Sequence, residues 1–209
     1  MINIAIDGPV GAGKSTVARE CAKRLGIIYV DTGAMYRSCA LFCIRNGIGI
    51  KPENEAAISE LLNNRLDLGI TIADGTQHVL INGEDVSSAI RENSVSMAAS
   101  AVSALPSVRA FLLDKQRDIA RTNSVIMDGR DIGTVILPNA DIKIFITAKP
   151  EVRAKRRYDE LNKRDYNDSH RKEAPLVQAE DAVLLDTSEL DFEQTVAAVT
   201  GLVEKSGKL

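Results

Sequence analysis

The chain has little net charge, few cysteines and no long apolar run, and each shortage removes a class of function. With 26 Lys and Arg against 29 Asp and Glu, the formal net charge is -3. No global field therefore draws the protein to a nucleic acid polymer or an anionic membrane, and a basic site would have to be local. Met1 is followed within a few residues by a short alternating apolar run and then Asp7. Neither a signal-peptide core nor a bilayer-spanning stretch is present, which predicts a cytoplasmic protein with no membrane partner. Three cysteines, with Cys39 and Cys43 one helical turn apart, suit buried thiols in a reducing compartment better than a disulfide framework or a zinc site, which needs a cluster of ligands. No low-complexity linker and no internal repeat interrupts the 209 residues. That length suits one large domain, or a domain with a lid, and is ample for a buried core.

What is there is strand and helix in alternation. "INIAID", "IIYVD", "SVIMD", "DIKIFIT" and "DAVLLD" are apolar runs of strand length. Between them "KSTVARECAKRL", "GAMYRSCALFCIRNG", "PSVRAFLLDKQRDIAR", "PEVRAKRRYDEL" and "DFEQTVAAVTGLVEK" carry helical periodicity, with Gly26 as a stop and Asp191 opening an Asp-x-x-Gln cap. The pattern predicts an α/β fold, a five-stranded parallel sheet with helices on both faces. One segment, "RLDLGITIADGTQHVLINGEDVSSAIRE", breaks the rhythm with two strand-like runs and turn signals at Asp74-Gly75 and Asn82-Gly83. It predicts a small antiparallel insertion, either a decorative hairpin or a substrate-closing subdomain.

Gly8-Pro9-Val10-Gly11-Ala12-Gly13-Lys14-Ser15 fits the G-x-x-x-x-G-K-[ST] phosphate loop in full, with a strand before it and a helix, beginning Lys14-Ser15-Thr16, after it. Backbone N–H groups of this loop can form an anion nest at a helix N-terminus. Lys14 would reach the β and γ phosphates, and the Ser15 hydroxyl would ligate Mg²⁺ bridging the same oxygens. The expectation is the P-loop NTPase fold and an ATP site at Gly8 to Thr16.

Such loops serve switches, motors and small-molecule kinases alike. "NKRD" at 162–165 imitates a guanine-reading motif, but it follows the charged stretch "RAKRRYDEL" where a buried strand belongs, and "SVIMD" leads into Gly129-Arg130-Asp131 with no Asp-x-x-Gly switch. A nucleotide-hydrolysing switch is thus the weaker alternative. A kinase must clamp its acceptor and supply positive charge to the transferring group. Arg37, Arg109, Arg130, Arg164 and Arg171 all stand in or beside loop-like motifs. Arg37 and Arg130 follow strands whose carboxyl ends border the phosphate loop, so both can converge on a ligand there. Guanidinium forks suit an acceptor that already carries phosphate. A kinase of some phosphorylated small molecule is as far as the residues alone lead.

Together "DGPVGAGKST", "DTGAMYR", "DGRDIGTV", "KIFITA" and "APLVQAEDAVLLDTS" resemble the bacterial cytidylate kinases over essentially the whole chain, including the antiparallel insertion. The resemblance implies transfer of the γ-phosphoryl group of ATP to CMP or dCMP, with Mg²⁺ as cofactor; a monomer closing around its two nucleotides is expected. It implies that Lys14, Arg130 and Arg171 serve catalysis and that Arg37, Arg130 and Arg171 hold the acceptor phosphate. Ser100, Arg109 and Asp131 would read cytosine, Thr32, Arg164 and Asp168 would hold the sugar, and Tyr36 would line the base pocket. Family members often have Ser where Thr32 stands here. The implied division is a core of 1–63, 91–149 and 177–209, a nucleoside-monophosphate-binding insertion at about 64–90 and a lid at about 150–176. Between "RAKRRYDEL" and "NKRDYNDSHR" the family usually carries a further run that is absent here. Either the lid is truly short or residues are missing at Leu161-Asn162, and the surviving spacing of Arg164, Asp168 and Arg171 favours the second and a chain break there.

Overall fold

The computed structural model describes residues 1–73, 76–156 and 167–208. Among these the chain runs β1 (Asn3–Asp7), α1 (Lys14–Leu25), β2 (Ile28–Asp31), α2 (Thr32–Arg45), α3 (Glu55–Arg65), β3 (Leu68–Ala73), β4 (Thr76–Ile81) and β5 (Glu84–Asp85). There follow α4 (Asn93–Val102), α5 (Pro106–Thr122), β6 (Val125–Asp128), a single π-helical turn at Ile132–Ile136, β7 (Ile142–Thr147), α6 (Pro150–Arg156), β8 (Val183–Asp186) and α7 (Phe192–Lys205). Contacts divide the chain into two compact units, Met1–Val30 with Ile119–Leu209, and Asp31–Asp118.

The first unit is built on the expected five-stranded sheet, in the order β2-β6-β1-β7-β8. β1 pairs in parallel with β6 on one side, Ile4 opposite Ile126, and with β7 on the other, Ile4 opposite Ile142. Because side chains alternate across a strand, the apolar runs feed two cores. Ile4, Ile6 and Ile144 pack on one face with Val17 of α1 and Val199 of α7. Ala5, Val30, Val125 and Met127 face the other way and meet Ile132 and Ile136 of the π turn. Burial of each such large aliphatic side chain contributes about 1.5–3 kcal/mol before entropy is subtracted. β1 lies where the connections part, toward β2 on one side and toward β7 on the other, so its carboxyl end opens on the crevice where such sheets bind ligands.

Cys21 lies in this unit's core and Cys39 and Cys43 in the other's, all three as free thiols. Burial raises each thiol, Cys21 to about 12 and Cys43 to about 11, which keeps them inert.

The second unit gathers the apolar faces of α2, α3, α4 and α5 around Met35, Ile58, Leu62 and Leu112, with Val79 and Ile81 of β4 closing the cluster. Its sheet, β3-β4-β5, is antiparallel. The Asn82-Gly83 signal joins β4 to β5 with φ of 51° and 84°, the pair of left-handed residues that a tight hairpin turn requires. The sequence reading had two strands here, and β5 adds a short third. The Asp74-Gly75 signal lies outside the described residues, as do Arg164, the "NKRD" stretch and the Leu161-Asn162 junction.

Two local devices fix chain ends in the first unit. Asp191 accepts from the Gln194 N–H at 2.8 Å while the Gln194 side chain accepts from the Asp191 N–H at 2.9 Å, the reciprocal capping box anticipated for α7. At the end of β1, Asp7 is buried and accepts from the backbone N–H groups of Ile132 and Gly133 at 2.9 and 2.8 Å. One carboxylate thereby anchors the turn that follows Arg130 and Asp131. Burial raises its pKa from 3.8 to about 6, against the lowering by those two hydrogen bonds; the Asp131 charge adds to the rise and Lys14 opposes it.

Asp191→Ala should cost about 1 kcal/mol and lower the thermal midpoint by about 2–4 °C; an unchanged midpoint in calorimetry would contradict the cap. For Asp7 the raised value means that the folded protein keeps a proton which the unfolded chain has already released. Its contribution is complete below 3.8 and lost as pH rises through about 6. In urea unfolding at a series of pH values, the stability of the native protein relative to Asp7→Asn should fall by about 3 kcal/mol between about pH 3 and about pH 7. Parallel profiles for the two proteins would refute the assignment.

Candidate active site

The phosphate loop sits between β1 and α1, as its motif requires. At Gly8, with φ of 144°, a Cβ atom would lie 1.9 Å from the Ile146 carbonyl oxygen of the neighbouring strand, so no side chain is admissible. Lys14 is 5% exposed and folds back over the loop, its Nζ donating to the Pro9 carbonyl at 2.6 Å. Ser15 and Thr16 at the start of α1 are exposed. The first turn of α1 carries no acidic residue, leaving the positive end of the helix dipole unopposed for an anion.

Beside the loop stands Asp128, buried at the end of β6, a residue the sequence reading passed over. The Ser15 hydroxyl donates to its Oδ2 at 2.7 Å and the Tyr29 hydroxyl to its Oδ1 at 2.9 Å. The signal was available in the sequence, an acid closing the apolar run of β6. Arg153 of α6 is a second omission. Its guanidinium donates to the Val10 carbonyl of the loop at 3.1 Å and to the Ala148 carbonyl at 3.0 Å.

In the same unit Arg130, Asp168 and Arg171 come together. Arg130 Nε donates to Asp168 Oδ2 at 2.8 Å, and Arg171 pairs with Oδ1 of the same carboxylate at 3.4 Å. The Asp168 carbonyl accepts from Leu176 N–H at 2.8 Å and from Arg171 Nε at 3.3 Å. Asp168 is 4% exposed. Two guanidinium groups on one carboxylate leave an excess positive charge, the electrostatic setting for a phosphate. Asp131 is buried and starts the π turn, its carbonyl accepting from the N–H groups of Val135 and Ile136.

In the second unit the remaining predicted residues fall into two neighbouring sets. Thr32, buried, opens α2, and Tyr36 and Arg37 follow within the next turns. Arg37 pairs with Asp31 at 2.8 Å, with both side chains largely buried. The Arg109 guanidinium lies over the Tyr36 ring, 5.8 Å from its centroid, within reach of a cation–π attraction. Arg109 also donates to the Ser103 carbonyl at 3.2 Å, and the Ser103 hydroxyl donates to the Ser100 carbonyl at 2.9 Å. Arg109 thus meets Tyr36 directly and Ser100 through Ser103, which sequence reasoning did not single out.

Among the described residues no cluster of three or more His, Cys, Asp or Glu can cage a metal ion, and no single helix is long and apolar enough to cross a membrane.

Residues 4–205 match the family model described as Cytidylate kinase. A cytidylate kinase of Caldicellulosiruptor bescii is 47% identical over 220 aligned positions, covering 98% of this chain and 96% of the relative. One of Streptococcus equi subsp. equi is 44% identical, with 99% and 96% covered. A solved shikimate kinase from Bacteroides thetaiotaomicron shares the fold with a TM-score of 0.50 at 15% identity, over 97% of this chain and 98% of its own. An uncharacterized protein from Eubacterium ventriosum does so at 0.53 and 12%, over 98% and 99%. A 209-residue chain cannot fill 220 aligned positions, so the first relative carries residues that this chain lacks. The sequence itself is continuous at Leu161-Asn162; the expectation of missing residues there is corrected, and the short interval belongs to the protein. From the phosphate loop to the last helix, the chain belongs to the cytidylate kinase family, phosphotransferases on the phosphate-loop α/β fold.

Proposed function

We propose that this protein transfers the γ-phosphoryl group of ATP to CMP or dCMP, giving ADP and CDP or dCDP, as a cytoplasmic monomer. The observation that carries the reading is the sharing of the Asp168 carboxylate by Arg130 and Arg171 in the unit that holds the phosphate loop. A hydrolysing switch has no use for such a pair, whereas an acceptor that already bears a phosphate needs it.

Each residue then has a task. Loop N–H groups from Gly11 to Ser15 cradle the ATP phosphates, and Lys14 places its charge on the transferring group. Arg37, Arg130 and Arg171 receive the acceptor phosphate. Asp131 accepts from the exocyclic amino group of cytosine while Arg109 and Ser100 donate to its N3 and O2; Tyr36 lines the base, and Thr32, Arg164 and Asp168 serve the sugar. The assignment of both units' residues to one acceptor follows the family's motif pattern. The core of 1–63, 91–149 and 177–209, the insertion at about 64–90 and the lid at about 150–176 belong to the same proposal, the last two closing the site against water.

The donor set fits Mg²⁺. It offers hard oxygens only, and a cation that keeps several waters needs just a hydroxyl, a supporting carboxylate and substrate phosphates. The Ser15 hydroxyl donates its hydrogen bond to Asp128, which leaves its lone pairs for the ion. When bound, the ion would neutralise charge on the phosphate oxygens.

The test is an acceptor panel: ADP release from ATP and Mg²⁺ alone, then with CMP, dCMP, UMP, AMP and shikimate in turn. Release should need an acceptor, and kcat/KM for CMP should exceed that for UMP by about 10²-fold or more, because a hydrogen-bonding pocket left unpaired rejects its mismatch. Asp131→Ala should erase most of that preference as well as slow the reaction. Equal rates for CMP and UMP would sink the base-reading assignment, and acceptor-independent release would sink the kinase.

A further inference from the structure

The antiparallel insertion has a polar residue where its alternation calls for an apolar one. On β4, Val79 and Ile81 point into the core, 1% and 4% exposed, and Gln77 occupies the preceding position of the same row. Its partner across the hairpin, Ile72, is 39% exposed, so the row has reached the margin of the core at this point. Yet the Gln77 amide has defined partners. Its Oε1 accepts from the backbone N–H of Asp31 at 2.8 Å, and its Nε2 faces the carbonyl of the same residue at 3.4 Å.

Asp31 closes β2 and caps α2. A side-chain amide that meets both the N–H and the C=O of one residue does what a neighbouring strand would do, satisfying main-chain groups where β2 ends. From that fixed backbone the Asp31 carboxylate reaches two ways: Oδ1 accepts from Ala34 N–H at 2.9 Å, and Oδ2 accepts from Arg37 NH2 at 2.8 Å. The Arg37 Nε is buried, and among the described residues nothing accepts from it. An arginine held on one side by a carboxylate, with a buried donor still open, is oriented for an incoming anion. The chain of contacts is therefore Gln77 to Asp31 backbone, Asp31 carboxylate to Arg37, all within the unit Asp31–Asp118.

We propose that Gln77 is a positioning residue for the acceptor phosphate: the insertion hairpin sets the direction of the Arg37 guanidinium through Asp31. The inference rests on the reading that Arg37 binds that phosphate. It gives the hairpin a role in aiming a ligand, whatever part it also has in closure, and it explains the polar residue at the inward position. A small misdirection of a phosphate-binding fork is costly because both hydrogen bonds of a bidentate contact depend on its plane.

The experiment is steady-state kinetics on Gln77→Met, Gln77→Asn, Arg37→Ala and the double variant Gln77→Met with Arg37→Ala, with CMP and ATP varied separately. Gln77→Met keeps the size and removes the amide. Gln77→Asn keeps the amide and withdraws it by one methylene, so a folded variant is at hand if the first is too unstable to assay. Both should raise KM for CMP about 10-fold, with KM for ATP unchanged. In the Arg37→Ala background Gln77→Met should add nothing, since a residue acting through Arg37 has nothing left to act on. If Arg37→Ala raises KM for CMP but the Gln77 variants do not, or if their effects multiply, the inference falls and the reading of Arg37 stands. If Arg37→Ala leaves KM for CMP unchanged, that reading falls and the inference with it.

Discussion

The site depends on where two buried carboxylates stand at the ends of adjacent parallel strands. Asp128 ends β6 and holds the hydroxyls of Ser15 and Tyr29. Asp7 ends β1 and holds the N–H groups of Ile132 and Gly133. A carboxylate buried without partners would cost several kcal/mol, so each is tolerable only because it ties down another segment. Asp128 orients the first turn of α1, the part of the phosphate loop proposed to meet the nucleotide, and Asp7 anchors the turn that begins after Arg130 and Asp131. Strand β1 thus joins the donor side of the chemistry to residues assigned to the acceptor, with one carboxylate on it and one on its neighbour.

The fold was legible because it is a matter of period. Five apolar runs at strand length, separated by helical patterns, leave little choice beyond a parallel sheet flanked by helices, though its edge strand β8 keeps Val183 and Leu184 exposed, and the Asn82-Gly83 dipeptide specified its turn through two positive φ values. The parts that escaped are those without a period of their own. β5 is two residues long, and the π turn at 132–136 is anchored by Asp7, far away in sequence, which accepts from the N–H groups of Ile132 and Gly133. α3 and α4 were missed although Ile58, Leu61 and Leu62 are buried on the first and Val95, Ala99 and Val102 on the second, since neither alone connects two strands of the parallel sheet. In the site, the glycine-rich loop and the arginines announce themselves by type. Asp128, Asp7 and Gln77 do not, because an acid or amide at a strand margin has no local mark to tell a solvated side chain from one that holds a distant backbone.

Asp168 illustrates how a residue's surroundings enlarge its role. The family resemblance gives it the sugar; the structure finds it shared by Arg130 and Arg171. The two are compatible chemically, since a carboxylate has lone pairs for several donors, and the pairing keeps two guanidinium groups from repelling one another. The short interval before Arg164 does not disturb this triad: Asp168 and Arg171 are joined locally, through the Asp168 carbonyl as well as the carboxylate.

The proposal that Asp128 supports Ser15 as a residue that would hold Mg²⁺ is most directly tested by the Mg²⁺ dependence of phosphoryl transfer in Asp128→Asn. Asn keeps the size of the side chain and loses the charge behind the hydroxyl. The account predicts that the free Mg²⁺ needed for half-maximal activity rises about 10-fold or more, as on loss of the residue supporting a metal ligand, while KM for CMP is unchanged. An unaltered Mg²⁺ dependence would contradict it.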